Sequence, residues 1–210
     1  VTVATALAYL NVTRYDLSYT VWRPVVSRLY DMYSVLFSDD VPPAVGEEAG
    51  ARGLRALASA DDDGAGGGSA ATEACASNFA TYARYLVRPI VLALGWGPSV
   101  PTRLLEEAWA GASLDASELA EASAVAERLS GLSSLDESDP LTVQFRSLML
   151  RSSAYFNESS TVAVAQALFA QSVRATNPVP LDPNVLPVVA STVVQYGDEG
   201  VFDQVFGLYL

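Results

Sequence analysis

Carboxylates are the one acid-base group this sequence supplies in quantity. Glu106 and Glu107 stand beside Trp109, Glu118, Glu121 and Glu127 follow, and Asp139 opens a later segment. A carboxylate hydrolase using Glu106, Glu107 or Asp139 is conceivable on residue type alone. Nothing in the spacing groups two of them with a nucleophile, and acids distributed this way form the wet face of helices. Histidine is absent and Cys75 is the single cysteine, which excludes every triad or dyad that needs imidazole and every zinc site built from His or paired Cys. Metal chemistry would have to be all-carboxylate. The run Asp61-Asp62-Asp63 lacks the spaced acids, the glycine and the closing glutamate of a calcium loop, so it reads as a solvated charge run. Cys75 reads as a small buried or loop residue.

Net charge constrains partners. With 24 acidic and 12 basic residues the formal charge is −12, which repels phosphate backbones and anionic membrane surfaces and argues against nucleic acid or direct membrane contact. All the basic residues are arginine, a bias that carries no functional weight alongside the abundant alanine. No run approaches the roughly 18 uninterrupted apolar residues of a membrane span. Val1 opens without a signal-peptide pattern, and the chain looks like a piece of something longer. Asn11-Val-Thr13 and Asn157-Glu-Ser159 are acceptor sequons, expected at the surface in turns between helices.

Apolar periodicity organises the rest. In 79–96 the residues Phe79, Tyr82, Leu86, Ile90 and Leu94 form one helical stripe, with further apolar residues beside it, so neighbours should cover this central helix on more than one side. Pro89 removes a backbone donor and should bend it; Gly95 suits the left-handed position that ends it before Trp96. An earlier helix finishes within residues 2–10. Trp22, Val25, Val26, Leu29, Tyr33 and Leu36 set out an amphipathic helix over about 19–37, with Asp16 or Ser18 as cap. Residues 41–71, rich in Gly, Ala and Asp, read as a flexible surface excursion. Short helices should follow to about Ala110 and from Asp115 to about Ser130, stopped by Gly111 and Gly131. Further helices begin at Asp139-Pro140 and Thr161. The last two span about 184–196 and follow the cap Asp198, with a stop at Gly197 between them. The class is all-α, one domain over 1–210, and antiparallel helix pairs joined by short capped turns are the pattern of a HEAT/armadillo-like α-solenoid.

The stretch FATYARYLVRPIVLALGW resembles the F-x-x-Y, L-x-x-P and L-G-W signature in the C-terminal helical domain of aminopeptidase N-type zinc aminopeptidases, the gluzincin family. Asp16-x-x-Tyr19-x-x-Trp22 is similar to that family's E-x-x-Y-x-x-W helix start. Leu150-Arg151-x-x-Ala154, followed by Val162-x-x-Ala165-x-x-Leu168-Phe169, resembles its L-R-x-x-A and V-x-x-A-x-x-L-F pair, and Leu186-Pro187-Val188-Val189 with Gly197-Asp198-Glu199 resembles its penultimate helix and turn. The departures are specific. Tyr155 and Thr161 stand where the family places a disulfide, so packing alone should hold that region. The glycine-rich stretch and 97–136 look like insertions, within which Trp109 should be partly exposed.

The resemblance implies a non-catalytic segment of a zinc-dependent aminopeptidase that trims N-terminal residues from peptides. The segment would cap and wall the peptide cavity of the catalytic domain and, in some relatives, supply a homodimer face. Zinc would belong to the parent enzyme and no cofactor to this chain, since neither H-E-x-x-H nor G-x-M-E-N occurs here. Partners would be the parent's other domains and its peptide substrate. Location would be extracellular or secretory, anchored at the cell surface through the parent chain. The rival from another class is an independent α-solenoid whose surface binds a partner protein.

Overall fold

The computed structural model describes residues 3–37, 68–111, 116–132, 138–173 and 179–207. Among them are nine helices and no strands, so the chain is all-α. In order these are α1 (Val3–Thr13), α2 (Tyr19–Phe37), α3 (Gly68–Leu94), α4 (Thr102–Gly111), α5 (Ala116–Leu132), α6 (Pro140–Tyr155), α7 (Ser159–Ser172), α8 (Leu186–Tyr196) and α9 (Glu199–Gly207). Contacts join consecutive helices and also distant ones: α3 packs on α2, α5 and α6, α4 packs on α7, and α2 packs on α6. Those contacts establish the class without by themselves defining a solenoid stack.

α3 is the centre, and it differs from its sequence reading at both ends. It begins at Gly68, so the last residues of the expected excursion are helical; 41–67 lie outside the described residues. It ends at Leu94, where Gly95 takes φ +61 and donates its amide to the Val91 carbonyl, leaving Trp96 outside the helix and buried. Phe79, Ala83, Leu86, Val87, Ile90, Val91 and Leu94 are buried. Tyr82, expected on the inward stripe, is only half-buried and stacks on the exposed Tyr85 with ring centroids 6.5 Å apart. The reason is the breadth of the covered sector: with α2, α5 and α6 all on α3, its centre falls nearer Ala83 and Val87 than Tyr82.

Described residues within 97–136 contribute to the core. Leu104 on α4 and Val125 and Leu129 on α5 are buried in the same cluster as α3. The Trp109 side chain lies outside the described residues. The described span of α4 ends at Gly111, as expected, while that of α5 runs past Gly131 to Leu132. Other local signals hold. The Asp139 carboxylate accepts from the Leu141 amide at 3.1 Å, Pro140 follows it, and the Asp198 carboxylate accepts from Val201 N at 3.0 Å. Gly197 is extended; a Cβ there would meet the Val193 carbonyl at 2.4 Å, so close approach requires glycine.

An aromatic cluster locks α2 to α3 and to the end of α6. Tyr30 lies 4.5 Å from Tyr155 by ring centroids, and Tyr33 contacts Phe37, Phe79, Tyr155 and Phe156. Tyr155 thus fills its position with packing, while Thr161 forms a buried 2.8 Å hydroxyl pair with Ser153. The expectation of packing alone is corrected: a hydrogen bond also ties α7 to α6.

Tyr30 donates to Ser152 Oγ at 3.1 Å, and burial pushes its phenol up to about 12. Because the folded value lies above the ordinary phenol value of 10.0, the associated stability is complete below pH 10 and is lost as pH rises through about 12. Burial raises Tyr82, Tyr155 and Tyr196 in the same direction. Tyr30→Phe should remove on the order of 2–3 kcal/mol of the alkaline stability loss, read as denaturant midpoints between pH 9 and 12. An unchanged alkaline limb would show that Tyr30 does not ionise with unfolding.

Candidate functional site

The turn between α6 and α7 builds a polar cavity. Asn157 takes the left-handed conformation, φ 57; its amide donates to the Ala154 carbonyl and the Glu158 amide to the Ser153 carbonyl, a Schellman closure with asparagine where glycine is commoner. That reversal carries Glu158 beneath α3. There Arg88 Nε and Nη2 both donate to Glu158 Oε2, at 3.1 and 2.8 Å, with the two side chains 12% and 2% exposed. One turn earlier on α3, Arg84 donates through Nη1 to the Phe156 carbonyl at 2.8 Å and through Nη2 to Thr81 Oγ1 at 2.9 Å.

A third arginine arrives from the turn after α1. Arg14 is buried, with its guanidinium carbon 4.1 Å from the Tyr85 ring centroid and Nη2 donating to Glu121 Oε1 on α5 at 3.2 Å. Its Nε is the one buried side-chain nitrogen or oxygen among the described residues that has no hydrogen-bond partner. Burying a donor in that state costs about 1–3 kcal/mol. Arg14, Arg84, Arg88, Glu121, Glu158 and Ser159 line a cavity of about 280 Å³, which also includes Pro89 and Asn157. No protein-family model, no characterised protein and no solved structure matches this chain.

The residues singled out from the sequence are placed as follows. Asn157 is exposed at the cavity, in the expected turn. Asn11 is exposed too, yet it lies in the last turn of α1 instead of a connecting turn. Asp16 offers its carbonyl, not its side chain: the indole of the fully buried Trp22 donates to it at 2.8 Å. Tyr19 is partly buried against the core, Phe79, Pro89 and Trp96 are buried, and Arg151 is exposed. Cys75 is exposed on α3, contrary to the buried or loop position expected.

The hydrolase carboxylates do not converge. Glu106 is exposed, Glu107 accepts from Arg103 at 2.7 Å on the surface of α4, and Asp139 caps α6. No group of three or more potential metal ligands occurs among the described residues, and none of their helices is long and apolar enough to cross a membrane. Sequence reasoning missed the arginine cavity because its members are scattered along the chain, from Arg14 through Glu121 to Ser159. The available signal was the pair Arg84 and Arg88, spaced i, i+4 on the central helix.

Proposed function

We propose that this chain is a non-catalytic segment of the C-terminal helical domain of an aminopeptidase N-type zinc aminopeptidase. One observation carries the reading. Trp22, Phe79, Pro89, Gly95 and Trp96, five residues of the ordered resemblance, serve packing or chain reversal, as the packing signature of a helical domain would. In this reading the helices form part of a HEAT/armadillo-like solenoid that caps and walls the peptide cavity of a zinc domain in the same polypeptide. The parent would be a secreted or cell-surface enzyme carrying glycans at Asn11 and Asn157, and some relatives would use this domain as a dimer face.

The test is to sequence the transcript upstream of the Val1 codon. An open frame encoding H-E-x-x-H supports the reading; a start codon with no protease domain overturns it. Incubated with zinc and chromogenic amino-acid amides, the isolated chain should hydrolyse none of them, and turnover abolished by a chelator would refute a non-catalytic role.

A second reading, an independent helical module that binds a partner protein, is favoured by α9. Phe202 and Phe206 are 52% and 54% exposed there and stack with ring centroids 6.3 Å apart. The same transcript separates the two readings.

A further inference from the structure

The geometry points to the cavity formed by Arg14, Arg84 and Arg88 as a binding site for a small oxyanion, the carboxylate or phosphate group of a low-molecular-mass ligand. The site goes beyond the aminopeptidase reading and stands without it. Among the described lining residues three guanidinium groups face the two carboxylates of Glu121 and Glu158, in a chain whose formal charge is −12. The positive character is therefore local to this cavity.

Each arginine is set for capture. Arg84 uses one N–H of each terminal nitrogen on Phe156 and Thr81, which fixes the plane of the guanidinium and leaves a second N–H on both. Arg88 is held by two bonds to one oxygen of Glu158. Arg14 is clamped over Tyr85, and its buried Nε has no acceptor among the described residues. The 14-residue α7 begins at the same cavity with no side chain capping its first amides, and its dipole adds positive potential there.

Guanidinium forks match the two-oxygen edge of a carboxylate or a phosphate, so an oxyanion is the group this lining recognises. At about 280 Å³ the cavity lies at the small end of ligand sites, which selects a small molecule over a polymer. Glu121 is the internal competitor: its side chain is 57% exposed, and it occupies Nη2 of Arg14. An entering anion takes its place.

Titration calorimetry of the 210-residue chain at low ionic strength, with inorganic phosphate and with malonate as probes and chloride as the control, tests the site. Saturable one-site binding of at least one probe is expected. Phosphate alone would assign the site to phosphorylated ligands, malonate alone to carboxylates, and either result supports the proposal. Glu121→Gln should tighten binding about fivefold or more by freeing Arg14, a gain that misfolding does not produce. Arg84→Gln, at a half-buried position, should weaken it about tenfold or more. If Arg84→Gln fails to fold, the tightening by Glu121→Gln decides the question alone. No saturable binding of either anion by the folded chain overturns the proposal, as does binding that Glu121→Gln leaves unchanged.

Discussion

Trp96→Ala is expected to lower the unfolding free energy by about 3–5 kcal/mol, the cost of deleting a buried aromatic side chain from a core that relaxes only in part. Trp96 is 3% exposed and follows the left-handed Gly95 that ends α3, so its indole is held in the core at the point where the chain turns toward α4. Tyr82→Ala on the same helix should cost only about 1 kcal/mol, because that ring is half-exposed at the edge of the core, beside Tyr85. Denaturant midpoints at equal unfolding slopes give the comparison. Equal losses for the two variants would mean that the end of α3 does not anchor the fold.

The second large effect concerns the buried charges. Glu158→Leu should destabilise by about 3–5 kcal/mol, since it strips a carboxylate partner from a guanidinium that is largely out of water. Arg88→Met leaves the more deeply buried Glu158 carboxylate uncompensated and should cost as much. Arg88→Met combined with Glu158→Leu removes both charges, and the double variant should be more stable than either single one. A double-mutant cycle by urea unfolding measures the coupling directly. Simple additivity would show that each side chain acts through other contacts, such as the 3.3 Å bond from Ser160 Oγ to Glu158.

The two predictions differ in how far their residues could be seen in advance. Trp96 was legible as a packing residue because a glycine stop after an apolar helix is a local signal, and Gly95 obeys it. The caps at Asp139 and Asp198 were legible for the same reason. Glu158 was not. A glutamate in the turn before a helical run reads as surface acid; only the Asn157 reversal and the approach of α3 place it beneath Arg88.

What the sequence determined by itself is therefore the helical class, most helix starts, and the exclusion of imidazole chemistry and of paired-cysteine metal sites. Each rests on composition or on interactions within about four residues along the chain. Tertiary structure decided which face of α3 is buried, that α4 and α5 join the core, and that Arg14, Arg84, Arg88, Glu121 and Glu158 share one cavity. Helical periodicity says that a face is apolar, and it is silent on which neighbour covers that face. α3 receives three neighbours, so its buried sector widened past the stripe and left Tyr82 at the edge. Arg14 and Glu121 meet across 107 positions only because α5 packs along α3 and brings that carboxylate to the turn after α1.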